Sequence, residues 1–527
     1  MCGFVFSSSK QLTDDFERGF SAIFHRGPDH QSLTVDNSGI WGFHRLSIMD
    51  LTQNGNQPFV HHGVKLMCNG EIYNYEHLKT MLQSSYQFQS GSDCEVLIPL
   101  YERVGFEIMM KMLDAECAIV LVDSKTNDIF AGRDPMGIRP MFYGFDKQSG
   151  GIAFASEAKA LVEFCHDVTP FPPGHYYHNG EFVCYNDLSD PKVVVEQDID
   201  TIAKHLREKL ENAVLKRLNA DAPLGFLLSG GLDSSLVCAI AQKNSSKPIK
   251  TFAVGMDTDP IDLKYAKEVA EFLGTEHTEV IMTKDDVLEA LEKVIWHLET
   301  WDITTVRASM GMYLICKYIR ENTDLKVLLT GEVSDEIFGY KYTDFAPSPA
   351  AFQQEAQKRI RELYMYDVLR ADRCLAANSL EARVPFSDTE FVDYAMSINP
   401  ERKMNVYNKG KYLLRRAFEG LNYLPDNILY REKAAFSDAV GHSMVDHLKA
   451  FAESQYSDAD LVAAKEKYPH GTPFTKESLL YRDIFEKFYP GQASWIKDFW
   501  MPNKEWEGCN VNDPSARVLG NYGDSGK

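Results

Sequence analysis

Residues 223–235 read Pro-Leu-Gly-Phe-Leu-Leu-Ser-Gly-Gly-Leu-Asp-Ser-Ser, an apolar run that breaks at two glycines and resumes as a helix. The first six residues suit a buried strand, Gly230 and Gly231 make a turn, and Asp233, Ser234 and Ser235 fall in the first turn of a helix over 233–242. Outward from this stretch the pattern alternates. Ile202, Leu206, Leu210, Val214 and Leu218 recur at helical spacing behind an N-cap at Thr201. Apolar strands follow at 249–254, 279–282 and 326–330, interleaved with helices such as 262–273. Strand and helix in alternation predict an α/β domain with a parallel sheet covered on both faces. Residues beyond 350 read mostly helical and add to it.

The spacing of Gly225 and Gly230 invites comparison with a Walker-type phosphate loop. That loop needs Lys and then Ser or Thr where this chain has Gly231 and Leu232, so γ-phosphoryl transfer is disfavoured. What remains is a strand, a glycine turn and a helix start whose unpaired N–H groups form an anion cradle. Asp233 sits poorly beside phosphate unless it holds Mg2+; otherwise it only caps the helix. A second loop, Gly331-Glu332-Val333-Ser334-Asp335-Glu336, follows the apolar run 325–330. Its three carboxylates either bind a metal, a cation or a protonatable substrate, or form a solvated acidic turn. On the first reading Asp335 shares Mg2+ with Asp233 and Glu332 faces an acceptor.

The first 190 residues differ. Short β-like runs at 2–6, 39–46, 64–69, 118–123, 128–133, 141–145 and 152–156 succeed one another across turns, with few helical stretches such as 95–103. This predicts two packed sheets. The polar, acidic stretch 186–200 marks a boundary, giving domains at 2–190 and 201–502. Residues 503–527 read as a polar, mobile tail. The net charge of −21 argues against a nucleic-acid partner. Ten cysteines without Cys-x-x-Cys spacing fit a reducing, cytoplasmic setting. No apolar run approaches the ~18–20 residues that span a bilayer, so no membrane partner is expected.

The chain opens Met1-Cys2-Gly3. Removal of the initiator methionine would expose Cys2 with its own α-amine as proton acceptor, an N-terminal nucleophile; the alternative is an ordinary cysteine at the start of a buried strand. Four segments bear on the choice. Residues 25–29 (His-Arg-Gly-Pro-Asp) form a compact charged turn, and 44–48 (His-Arg-Leu-Ser-Ile) set Arg45 at a strand end. Residues 69–74 (Asn-Gly-Glu-Ile-Tyr-Asn) offer the Asn69 amide and the Gly70 N–H, the donor pair an oxyanion hole needs. Residues 91–95 (Gly-Ser-Asp-Cys-Glu) place Asp93 ahead of a helix.

With Cys2, these segments resemble the class II glutamine amidotransferase domain, an α+β sandwich of the Ntn-hydrolase type. The 229–235 string resembles the PP-loop ATP-pyrophosphatases, whose HUP-like α/β domains adenylate a carboxylate. In this order they resemble the family of glutamine-hydrolysing asparagine synthetases, with further likeness at 299–309, 380–386 and 431–438. The resemblance implies that Cys2 attacks the side-chain amide of glutamine while Asn69 and Gly70 stabilise the oxyanion. Arg45 would pair with the substrate carboxylate, and Asp93 and Glu71 would receive its ammonium. ATP would be lined by Leu228, Val254, Thr330 and Gly331. Pyrophosphate would meet Ser229, Gly230, Gly231, Asp233 and Ser234, with Lys433 nearby. Mg2+ would sit at Asp233 and Asp335, and Glu332 would serve acyl-adenylate formation. Glutamine, aspartate and ATP are then the small-molecule partners, ammonia passes between the domains, and a homodimer is the expected assembly.

Two departures stand out. The family usually has Gly where Val333 sits, and a β-branched residue strains the loop if that position needs a positive φ. It also usually has Gly-Gly-Tyr where this chain reads Gly339-Tyr340-Lys341. These leave open an amide- or lactam-forming enzyme with another carboxylate acceptor, and a catalytically weak amino-acid-binding protein.

Overall fold

The computed structural model describes residues 1–258, 260–405, 409–432 and 442–523. The strand-rich first part folds as two six-stranded sheets whose paired strands run antiparallel. Gly3–Ser7 lies inside the first sheet, between Gly39–Arg45 and Ile152–Ala155. Val64–Ile72 lies inside the second, between Phe59–His61 and Ala115–Asp123. Side chains alternate across each strand, so Phe4, Phe6, Trp41 and Phe43 of one sheet meet Met67, Ala118 and Val120 of the other in a shared apolar layer. Helices cover the outer faces. Leu78, Leu100 and Met109 pack on the second sheet, and Phe16 and Phe20 of Asp14–Ala22 join a cluster with Val5 and Ala155 of the first. This is the α+β sandwich expected from the run of short strands.

From residue 199 onward a five-stranded, fully parallel sheet forms in the order Glu276–Met282, Lys250–Met256, Leu224–Leu227, Val327–Leu329, Glu381–Arg383. Successive residues of one strand feed opposite faces: Phe252 and Val254 enter one core, Ala253 the other. The first strand in sequence is central. The chain winds to one side of it for two strands and then crosses to the other. Such a reversal opens a crevice at the carboxyl ends of the strands flanking it, and the loops at 228–232 and 330–336 both lead into it.

Two expectations need correction. The helix expected from an N-cap at Thr201 is Ile199–Lys216, capped by Asp198, whose carboxylate accepts from the Thr201 N–H and hydroxyl; an acidic residue in the polar linker served the cap better than the first residue of the apolar pattern. Residues 503–523 are not a free tail. Trp506, Cys509 and Leu519 are buried, and Asp513 pairs with the buried Arg307 at 2.9 Å. A few well-spaced apolar anchors and one ion pair suffice to dock a segment whose average composition is polar.

Candidate active sites

The N-terminal site lies where Gly3–Ser7 begins and Val64–Ile72 ends. Met1 is fully buried, its amino nitrogen 4.0 Å from Glu381 of the parallel sheet. Burial pulls that amine down to about 5. The Cys2 thiol faces the Leu46 carbonyl at 3.7 Å, and burial pushes it up to about 11. A thiol in that range is protonated at neutral pH and needs a base before it can attack. Arg26, fully buried, donates from Nε to the Cys2 carbonyl at 2.9 Å and grips Asp372 of the other domain with both terminal nitrogens, at 2.8 and 3.1 Å.

Asn69 projects from Val64–Ile72 into the interior. Neither its amide nitrogen nor its oxygen has a hydrogen-bond partner among the described residues, although both are buried. Buried amides are nearly always paired, so an unpaired one marks a group held ready for something else. Gly70 sits opposite Cys117 on the next strand, and a Cβ there would lie 2.6 Å from the Cys117 Cα, so the sheet itself requires glycine. Asp93 accepts from the Ile72 N–H at 2.7 Å; burial raises its carboxyl to about 6. Glu71 is likewise pushed up by burial, and it pairs with Arg383 of the parallel sheet at 2.9 Å. The terminal nitrogens of Arg45 are engaged by the 49–56 loop: they donate to the carbonyls of Met49, Asp50 and Thr52 and to the Asn56 side chain. In this state Arg45 organises the loop.

The second site is the crevice, a cavity of about 230 Å³. Leu228, Ser229, Gly231, Asp233, Ser234, Val254, Thr330, Gly331, Glu332 and Asp335 all line it. Gly230 takes φ +71° at the turn, where a Cβ would strike the Tyr265 and Ala266 backbone. Gly331 brings the two loops together: a Cβ there would lie 2.7 Å from the Ser234 nitrogen. Ser229 and Ser234 hydroxyls meet at 3.0 Å. Val333 does adopt a positive φ, +81°, at the start of Ser334–Phe338, and its side chain is buried. Lys433 lies outside the described residues.

Several lining residues escaped the sequence reading. Lys411 reaches in from the start of Tyr412–Phe418 to touch Asp233, Ser334 and Asp335. Arg370 pairs with Glu332 and with Asp367. Tyr340 donates to Glu336 and Asp367, and burial holds the Glu336 carboxyl well above the usual range. Arg307 is clasped by Glu477 at 2.6 Å and by Asp513. Lys411, Arg370 and Arg307 are far in sequence from both glycine loops, so nothing local marks them, whereas Tyr340 follows the second loop closely and was noted only as a departure from the family. The strand Glu381–Arg383 runs along the seam of the two sites: Glu381 faces the Met1 amine, Arg383 meets Glu71, and the Arg383 carbonyl accepts from the Thr330 N–H at 3.1 Å.

Residues 1–176 match the glutamine amidotransferase domain, and residues 205–353 and 344–511 match asparagine synthase. The class is thus an amidotransferase domain joined to a synthase domain in one chain. Among relatives, the glutamine-hydrolysing asparagine synthetase of Mus musculus is 42% identical over 546 residues, 96% of each chain. That of Homo sapiens is 42% identical over 541 residues, 95% of each. The chain belongs to the asparagine synthase family.

Proposed function

We propose that this protein makes asparagine from aspartate, ATP, glutamine and water, releasing AMP, pyrophosphate and glutamate. The carrying observation is the coexistence of two unlike sites in one chain: an N-terminal domain in which Cys2 and a buried amide, without a partner among the described residues, both lie inside the sandwich, and a strand-end crevice whose two carboxylates converge on one cation. Full-length likeness to glutamine-hydrolysing asparagine synthetases supports the same reading.

In the N-terminal domain, residues 2–190, Cys2 freed of Met1 gives its proton to its own amine and attacks the glutamine amide; the C–N bond breaks, ammonia leaves with that proton, and water hydrolyses the glutamyl thioester to glutamate. Asn69, with the Gly70 N–H, donates to the oxyanion. Asp93 and Glu71 receive the glutamine ammonium, and Arg45 receives its carboxylate once the loop it holds rearranges. In residues 201–502, aspartate's β-carboxylate attacks the α-phosphorus of ATP, forming β-aspartyl-AMP and pyrophosphate. Leu228, Val254, Thr330 and Gly331 enclose the nucleotide, Ser229, Gly230, Gly231, Asp233 and Ser234 meet the pyrophosphate with Lys433, and Glu332 faces the acceptor. Asp233 and Asp335 fit a divalent ion, since they already share one cation, and Mg2+ bound there would neutralise the phosphates. Ammonia from Cys2 then displaces AMP after crossing the seam along Glu381–Arg383.

A cytoplasmic homodimer is the setting we infer: all ten cysteines are free, and among the described residues no helix is long and apolar enough to cross a membrane. The test has two arms. Pyrophosphate release with ATP and Mg2+ is screened across amino acids, and aspartate gives the strongest signal; a strong signal with another carboxylate and none with aspartate refutes the acceptor. Cys2→Ala abolishes glutamine-dependent synthesis and spares synthesis from ammonium; equal loss of both refutes the two-site division.

A further inference from the structure

Among the crevice cations that the sequence did not single out, Lys411 is the one that reaches both aspartates. Its side chain is 4% exposed. The ammonium donates to Asp233 Oδ2 at 2.8 Å and to Ser334 Oγ at 3.0 Å, and lies 2.9 Å from Asp335 Oδ1. The Ser334 hydroxyl in turn donates to Asp233 Oδ1 at 2.8 Å. Lys411 itself holds a left-handed backbone conformation, φ +58° and ψ 35°, uncommon for a residue with a Cβ and kept only where the surroundings demand it.

The three contacts form a small cation seat built from both nucleotide loops. Asp233 comes from the first turn of Leu232–Lys243, and Ser334 and Asp335 from the first turn of Ser334–Phe338. Facing it from the neighbouring segment is Arg415, whose guanidinium is spent on the carbonyls of Gly410, Leu429 and Arg431. Glu432 is held by Lys341 and Lys409. Among the described residues, Lys411 thus contacts both aspartates. A divalent ion of the Mg2+ class held by both aspartates at about 2.0–2.1 Å would need the space between them that the ammonium fills, so ammonium and metal exclude each other from this seat.

We propose that Lys411 occupies the metal seat of the nucleotide-free protein, so that divalent metal enters only with the nucleotide, which draws the ammonium away toward its phosphates. This rests on the reading of Asp233 and Asp335 as the Mg2+ ligands. It makes Lys411 a positioning residue that enforces binding of the metal–nucleotide complex and keeps free metal out.

The experiment uses the full chain without nucleotide and Mn2+ as probe, with bound and free ion separated by electron paramagnetic resonance. In the wild type, Mn2+ alone binds this seat poorly. In Lys411→Met the seat is vacated and Mn2+ binds at least about tenfold more tightly, because the metal-competent state no longer waits on a minor conformer. Lys411→Arg retains the block, and adding Asp335→Asn to Lys411→Met removes the new binding. Lys411→Gln replaces the methionine variant should that one fail to fold. A non-hydrolysable ATP analogue with Mn2+ supplies the control. If wild type and Lys411→Met bind free Mn2+ equally while wild type still takes up Mn2+ with the analogue, the placeholder is wrong and the metal reading stands. If neither binds Mn2+ even with the analogue, both fall together.

Discussion

Replacing Asn69 with leucine should make the protein more stable and cripple it at once. The side chain is 1% exposed, and both its polar atoms are buried without a partner among the described residues. Leaving a buried donor or acceptor unmade costs about 1–3 kcal/mol, whereas an apolar side chain of the same shape carries no such penalty. Leucine nearly matches asparagine in outline, and the neighbouring layer of Phe4, Phe6 and Met67 is apolar. Asn69→Leu therefore stabilises the N-terminal domain by about 2 kcal/mol, which for a unit of this size raises its melting transition by roughly 4–8 °C. If the amide is the oxyanion donor, glutamine-dependent turnover falls about 10²–10³-fold, the loss typical of one such donor. Synthesis from ammonium is retained. Hydrogen exchange of the Val64–Ile72 amides and calorimetry read the first effect, and parallel assays with glutamine and ammonium read the second. Destabilisation by more than about 1 kcal/mol would mean that the amide is satisfied in the free protein. Glutamine turnover kept within about fivefold would remove Asn69 from the oxyanion site.

Four further outcomes follow from the same geometry. Asp93, raised to about 6 chiefly by burial, contributes stability that is complete below its unfolded value and lost as pH rises through about 6. Asp93→Asn therefore flattens the fall in stability between about pH 4 and 7, measured by urea unfolding, and weakens glutamine binding at neutral pH. Asp513→Asn removes one carboxylate from Arg307 while Glu477 keeps its grip; hydrogen exchange across 503–523 quickens, by about 1–2 kcal/mol of local opening, while the parallel sheet is unaffected. Val333→Gly trades relief of about 1–3 kcal/mol of backbone strain against about 1.5–3 kcal/mol of lost burial, and denaturant midpoints change little. Val327→Gly, in a fully buried strand with no strain to relieve, costs about 2–4 kcal/mol.

What the sequence determined by itself was everything written in local period or local backbone need. The alternation around 223–235 dictates a parallel sheet because strands buried on both faces must be apolar throughout, and the run of short strands before residue 190 dictates stacked antiparallel sheets. Gly230 was legible because a turn geometry leaves its mark on a single residue, whereas the positive φ at Val333 was raised only by the glycine that the resembling family carries there. The residues lining the crevice from the two glycine loops were legible for the same reason: each loop follows its own strand.

Tertiary structure alone decided which distant charges meet. Lys411, Arg370 and Arg307 enter the crevice from helices with their own apolar patterns, and a lone lysine or arginine on a helix looks the same whether it faces water or a carboxylate. The docking of 503–523 was hidden because three buried apolar anchors, Trp506, Cys509 and Leu519, are lost in a polar average. The seam was hidden as well: Arg26 meets Asp372 and Glu71 meets Arg383 across hundreds of residues. Low-dielectric burial makes such pairs obligatory once the chain has folded, and only the fold says who the partner is.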